Sequence, residues 1–301
     1  MVVTVEQGPA NITLTIFTPA FNRAHLLPRL FESIKSQVRP GDPVEWLVID
    51  DGSTDSTAET VTRMKNERPD LVRLVRTKNG GKHRAINRVA QVAFGGWVMT
   101  VDSDDLLKTG AVGEALDAIG FVDCDPSIGV IRALKSFPEL KTEYYFKVPS
   151  NPCRHSDWLS AQHQFETADI VRLMVLKMCP FPEIENERFM AESWLWHSVG
   201  RTHLTLYINK LWIECFYQND GLSVASRLNR ADSPCSAELV YAAMLESELP
   251  IRTRLRSSIN WWRYHFHALS RNLSHRPEYR APAGYAFLGW LMWVRDRFDR
   301  H

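Results

Sequence analysis

The chain has almost no excess charge. Its 301 residues carry 36 basic and 35 acidic side chains, a net charge of +1. That balance gives no sign of a nucleic-acid partner. Cysteine is sparse and unpaired in pattern: Cys124, Cys153, Cys179, Cys215 and Cys235 are widely spaced, with no CxxC. Neither a zinc site nor a disulfide scaffold is expected, and a reducing cytosol is the easier setting. The opening residues lack a basic segment followed by an apolar one, so no signal peptide is expected. No uncharged apolar window of about 18 residues occurs, which argues against a spanning helix. No GxGxxG follows the first β-rich run and no GxxxxGK[ST] occurs. Dinucleotide-fold and P-loop readings are thereby disfavoured. What remains is an ordinary globular composition, 45% hydrophobic and 24% charged, in a length that suits one large domain, with or without an appendage.

The first third alternates between two periods. Thr13–Thr18, Val44–Ile49, Leu71–Val75 and Trp97–Val101 are short β-rich runs. Between them lie helical stripes over His25–Val38, Ser56–Asn66 and Lys82–Phe94. Pro28 fits the first turn of its helix, where a missing N–H costs little. Ser56 and Glu59 have capping-box spacing, and Gly95-Gly96 stops the third helix. This βαβαβαβ order predicts an α/β fold with a mainly parallel sheet flanked by helices. Ligands of such sheets bind beyond the carboxyl ends of the strands. The polar clusters sit there: Thr18-Pro19-Ala20-Phe21-Asn22, Asp50-Asp51, and Asp102-Ser103-Asp104-Asp105. Residues 125–245 are less periodic, with a turn and helix over Arg188–Trp196 and strands at Leu204–Ile208 and Leu211–Tyr217 expected.

Several ionised carboxylates on one rim repel one another, and without a cation at least one pKa must rise. A hard divalent ion relieves this, because Mg²⁺ takes one or two carboxylates and completes its shell with water and phosphate oxygens. Lys82, His83 and Arg84 follow Gly80-Gly81 at a helix start, where backbone N–H groups also favour anions. A cation-assisted site for a phosphorylated ligand follows.

Three ordered runs, TIFTPAFNRAHLLPRLFESIKSQ, WLVIDDGSTDST and NGGKHRAINRVAQVAFGGWVMTVDSDD, closely resemble family 2 glycosyltransferases of the GT-A fold. The likeness is strong over residues 12–108 and weaker through Glu192 to the Gly221-Leu222-Ser223 stretch. It implies a nucleotide-binding sheet with an acceptor-side subdomain and a C-terminal helical tail. It also implies that Thr18, Pro19 and Ala20 cradle the nucleotide and that Asp51 meets the base edge. Lys82 and Asn87 lie along the nucleotide sugar in this reading. Asp102, with Ser103, faces the ribose or sugar; Asp104 ligates Mn²⁺ or Mg²⁺, with Asp105 a further contact. Glu192 falls at the catalytic carboxylate, although Ala191-Glu192-Ser193 departs from the commoner Glu-Asp pairing. Asp157 and His163 are the alternative bases. The implied reaction is transfer of a sugar from a nucleotide-sugar donor, a UDP-sugar, to a saccharide or lipid-linked saccharide acceptor, with inversion. A sugar-phosphate nucleotidyltransferase would need a glycine-rich loop after the first strand, which Thr18–Arg23 is not. A non-catalytic nucleotide-sugar or membrane-binding module is the other alternative, and the intact Asp102 and Asp104 argue against it.

The balance of charge is local as well as global. Ile251–His301 holds ten Arg, three acids and four of the ten Trp. The expected division is therefore 1–245, with nucleotide-sugar and acceptor-side halves at 12–108 and 109–245, and a basic tail over 246–301. Ala281–Val294 is an uncharged stretch of 14 residues, short for a bilayer span. Basic flanks with Trp and Leu suit an interfacial helix on an anionic membrane, placing the chain in the cytoplasm against the inner face of the cell membrane. The alternative is a helical pair packed on the catalytic domain or forming a homodimer contact.

Overall fold

The computed structural model describes residues 12–138, 145–148, 150–160, 166–216, 226–273 and 279–298. Four parallel strands form its first half: β1 (Leu14–Ala20), β2 (Val44–Asp50), β3 (Val72–Arg76) and β4 (Trp97–Thr100). The helices α1 (Leu27–Lys35), α2 (Thr57–Glu67) and α3 (Lys82–Val92) connect them. All seven residues of β2 are buried. Such a strand, covered on both faces, needs an almost continuous apolar run rather than alternation. Pro28 does lie in the first turn of α1. At α2 the cap differs from expectation. Ser56 makes no side-chain cap bond, and the Asp55 carboxylate instead accepts from the Thr57 N–H at 2.9 Å.

The second half of the sheet is mixed in direction. It is built from β5 (Leu106–Leu107), β6 (Ile128–Ser136), β7 (Thr167–Arg172) and β8 (Leu204–Glu214). The strand order is β3-β2-β1-β4-β7-β6-β8-β5. β7 runs antiparallel to both β4 and β6, whereas β6 and β8 are parallel. The two β-runs expected at 204–208 and 211–217 are parts of one strand. Ala133 pairs with Ile208 and Leu134 with Leu211, so Asn209 and Lys210 are accommodated as an irregularity. Tyr217 lies outside the described residues.

Helix α4 (Ala111–Val122) precedes β6, and α5 (His155–Ser160), α6 (Leu173–Met178) and α7 (Ser193–Val199) flank the second half. Four further helices follow: α8 (Ser226–Asp232), α9 (Pro234–Leu245), α10 (Ile251–Ser270) and α11 (Ala286–Phe298). Helix α10 packs on α9, and α11 packs on α10. Trp261 is buried between α9 and the Tyr279–Ala281 segment. Gly289 permits the close crossing of α10 and α11: a Cβ there would stand 2.4 Å from Cβ of Trp262. Asp296 of α11 accepts from both Arg263 and His267 of α10. Among the described residues, no helix is long and apolar enough to cross a membrane.

Candidate active site

Strand register brings the polar clusters level. Ala20 stands opposite Asp50, Asp50 opposite Arg76, and Phe17 opposite Thr100. The turns after β1 and β2 are tied together. The Ser53 hydroxyl accepts from the Asn22 N–H at 2.9 Å, and the Asn22 side-chain oxygen accepts from the Thr54 N–H at 2.9 Å. Asp50 is fully buried and spent on structure, accepting from the Ser53 N–H and from Arg76 Nε, each at 2.8 Å.

Asp51 organises the entry to α3. Its two oxygens accept from the Gly80 and Gly81 N–H groups at 2.8 and 2.7 Å. Gly81 has φ +94°, and a Cβ there would lie 1.9 Å from the Arg188 carbonyl oxygen. Only glycine satisfies that backbone angle and that approach together. The chain thus delivers Lys82 to the cleft. Its Nζ lies 2.6 Å from Asp102 Oδ1 and 2.7 Å from Glu192 Oε1. Burial alone would favour the neutral amine, but the Asp102 and Glu192 carboxylates outweigh it and hold the ammonium charged well above its usual range. One cation therefore joins acids from the end of β4 and the start of α7. Glu192 stays 38% exposed on its side chain, with Lys82 its one salt-bridge partner among the described residues. A hydroxyl can reach it.

Each of the three acids after β4 has a different environment. Asp102 is paired with Lys82. Asp105 is buried and lies 3.2 Å from Lys135 Nζ. Asp104 has no salt-bridge partner among the described residues, and burial, followed by the charges of Asp102 and Asp105, raises its pKa above the ordinary carboxylate range. An uncompensated hard oxygen next to two further acids suits Mg²⁺ or Mn²⁺ chemically. No group of three His, Cys, Asp or Glu side chains among the described residues makes a ready metal cage. The residues fit an ion held by Asp104 that completes its shell with other oxygens, as Mg²⁺ ordinarily does with substrate phosphates.

Several other expected site residues are buried or bonded within the protein. The Thr18 hydroxyl is buried and accepts from the Trp46 indole N–H at 3.0 Å. Pro19 is half-buried, and Ala20 and Ser103 are buried. Asn87 spends its amide on the segment before α7, donating to the Phe181 carbonyl at 2.9 Å and to Glu183 at 2.8 Å, and accepting from the Phe181 N–H. Arg84 donates to the Ile184 and Glu187 carbonyls. Asp157 accepts from the Arg154 N–H at the start of α5. His163 and the Gly221-Leu222-Ser223 stretch lie outside the described residues.

Four charged residues beside the cleft carried no sequence expectation. Arg132 and Asp169 form a buried pair across β6 and β7, with the Arg132 guanidinium over the Trp196 ring at 4.6 Å. Lys135 balances Asp105. Glu187 accepts from the Cys235 and Ser236 N–H groups at 2.8 and 2.7 Å and so caps α9. The cleft itself is lined by Lys82, Thr100, Asp102, Asp169, Glu192 and Trp196, among others. Charged residues inside the apolar run Ile128–Ser136 were the one available signal for Arg132 and Lys135, since a buried charge needs a partner.

The sequence profile described as "Glycosyl transferase family 2" matches residues 15–171. Curated relatives include a poly(ribitol-phosphate) beta-glucosyltransferase of Bacillus spizizenii, 30% identical over 100 residues, which are 33% of this chain and 16% of that protein. The poly(ribitol-phosphate) beta-N-acetylglucosaminyltransferase TarS of Staphylococcus aureus is 32% identical over 110 residues, 36% of this chain and 18% of that protein. The matched region thus spans less than a fifth of those relatives. A solved S. aureus TarS fragment superposes with TM-score 0.60 at 19% identity, covering 96% of this chain and 82% of the fragment. A mannosyltransferase of Pyrobaculum calidifontis, solved with GDP-Man and Mn²⁺, gives TM-score 0.56 at 16% identity, covering 96% and 88%. At these identities the likeness establishes the GT-A fold.

Proposed function

The chain belongs to glycosyl transferase family 2, and from that premise we propose that it moves a sugar, with inversion, from a UDP-sugar to an acceptor hydroxyl. The observation that carries this reading is the single cation, Lys82, clasped between Asp102 and Glu192 at 2.6 and 2.7 Å. It puts a donor-side acid and an exposed acid on one cleft. In our assignment Glu192 is the general base: it accepts the acceptor hydroxyl proton as the oxygen attacks the anomeric carbon. Such a base contributes about 10²–10⁴-fold. Lys82 orients it. Asp51, with the Gly80 and Gly81 amides, shapes the wall assigned to the nucleotide base, and Asp102 and Ser103 face its sugar. Asp104, with Asp105 behind it, would hold Mn²⁺ or Mg²⁺, which when bound neutralises charge on the departing diphosphate.

Solved TarS complexes contain UDP or UDP-GlcNAc, which supports uridine as the donor base here. The acceptor we assign is a saccharide, free or lipid-linked. A peripheral position on the cytoplasmic membrane face is favoured by one feature. Phe287, Trp290, Leu291 and Phe298 of α11 are 42–76% exposed beside Arg295 and Arg297, an arrangement that suits an interface. Release of UDP from UDP-sugars with Mn²⁺ tests the reading. Asp104→Asn is expected to abolish turnover while the fold persists; equal rates for the two proteins would overturn the metal assignment.

A further inference from the structure

Away from the catalytic cleft, helices α8–α11 enclose a cavity of about 510 Å³. Six guanidinium groups line it: Arg227 and Arg230 from α8, Arg252, Arg256 and Arg263 from α10, and Arg295 from α11. No carboxylate is among its lining residues within the described part of the chain. Arg263 is matched from behind, because Asp296 grips it through both oxygens. Arg252, Arg256 and Arg295 are exposed and take part in no ion pair among the described residues. Gathering like charges around one space costs energy unless something anionic enters it. The fork of a guanidinium matches phosphate oxygens two at a time.

The rest of the wall narrows the ligand further. Leu255, Ile259 and Met292 supply apolar surface, and Tyr241 and Tyr264 stack at 5.7 Å. Burial, and then the neighbouring Tyr241, push the Tyr264 hydroxyl up to about 12, so it remains a hydrogen-bond donor. The volume falls within the range of small-molecule sites. A bare inorganic ion would leave most of that space and its apolar side unused.

We propose that this cavity binds the phosphate group of an organic phosphate, a phosphodiester or diphosphate whose attached apolar or sugar portion rests on Leu255, Ile259 and Met292. It is a second anion site, separate from the donor cleft. It sits on helices tied to the catalytic segment: Glu187 caps α9 five residues before Glu192, and Arg230 lies over the Phe189 ring at 6.0 Å. Two sources can present this chemistry, a soluble phosphorylated molecule or a lipid headgroup.

The test is binding of sodium pyrophosphate by calorimetry, in EDTA so that no divalent ion recruits it to Asp104. Alongside it, the full chain is cosedimented with phosphatidylcholine vesicles, with and without about 30% phosphatidylglycerol. The variant is Arg252→Gln/Arg256→Gln. Arg39→Gln/Arg254→Gln, also on the surface and outside the cavity, removes the same charge. Should the cavity pair disturb folding, Arg295→Gln on α11 is the independent variant. Pyrophosphate affinity is expected to fall about tenfold or more in the cavity variant and to stay at the wild-type value in the control and in Asp104→Asn. Loss confined to pyrophosphate identifies a soluble source. Loss confined to anionic vesicles identifies a headgroup. Equal weakening by the cavity and control pairs, or no binding of either probe by the wild type, overturns the proposal. Because UDP binding with Mn²⁺ is read separately on the same proteins, failure here leaves the donor-site reading standing, and the reverse holds.

Discussion

The two charged cavities of this molecule treat their charge in opposite ways. In the cleft at the strand ends, cations and anions are matched before any ligand arrives: Lys82 with Asp102 and Glu192, Lys135 with Asp105, Arg132 with Asp169. Asp104 has no salt-bridge partner among the described residues. In the helical cavity Arg252, Arg256 and Arg295 take part in no ion pair among the described residues, while Asp296 grips Arg263. Matched charges in a half-buried setting fix side-chain geometry at small electrostatic cost, which is what a reacting centre needs. Unmatched like charges store repulsion that an incoming ion releases. The first pattern belongs to chemistry and the second to capture.

The largest expected effect separates these two roles within the cleft. Glu192→Gln keeps the shape of the side chain but removes its basicity. Its kcat should fall about 10²–10⁴-fold, with UDP-sugar affinity near the wild-type value. A fall in affinity with kcat retained would make Glu192 a binding residue instead. Next comes the Arg263–Asp296 pair behind the helical cavity. Asp296→Asn leaves Arg263, whose side chain is 7% exposed, without its counter-ion. Breaking a buried pair in this way typically costs about 3–5 kcal/mol, read as a lowered urea midpoint; a loss of a few tenths would show that water reaches the pair. Lys82→Met removes the cation that joins Asp102 to Glu192. Turnover is expected to drop about 10–100-fold, the order of loss that follows removal of a partner orienting a site residue, with little change in stability. Unchanged turnover would mean the two acids hold their places unaided.

The smallest effect concerns pH. Burial lowers the pKa of His83 and of His197 to about 4, further lowered by Arg84 and Arg201 respectively. Both ring nitrogens of His83 lack a hydrogen-bond partner among the described residues. An unfolded histidine titrates near about 6.5. Between about pH 6.5 and 4 the unfolded chain takes up protons that the folded chain refuses, so stability is lost as pH falls through that window. Urea unfolding at about pH 7 and pH 5 should show the decline, and His83→Phe should reduce it. An identical decline in that variant would place the proton uptake on other groups.

Much of the nucleotide-side architecture was legible because its signals are local. Strand runs end in acids, and Lys82 opens its helix at the expected residue. The resemblance supplied roles for Asp51, Asp102 and Asp104 that spacing alone does not. What escaped was long-range. Asn87, which the resemblance set along the nucleotide sugar, and Arg84, at a helix start that favours anions, both bond to Phe181–Glu187, about a hundred residues away. The Thr18 hydroxyl accepts from the indole N–H of Trp46, on the neighbouring strand. Arg132 and Asp169 meet because β7 inserts antiparallel between β4 and β6, a topology no periodicity announces. The charge of the tail was visible as composition, but its concentration into one cavity depends on the crossing of α10 and α11 at Gly289.

The central claim is that Asp104 is an unpaired acid awaiting an ion that arrives with a diphosphate. Electron paramagnetic resonance of Mn²⁺ with the full chain, titrated with and without UDP, addresses it directly. The account predicts weak Mn²⁺ binding alone, a marked gain when UDP is present, and loss of that gain in Asp104→Asn. Mn²⁺ binding that ignores UDP, or that survives intact in Asp104→Asn, would contradict it.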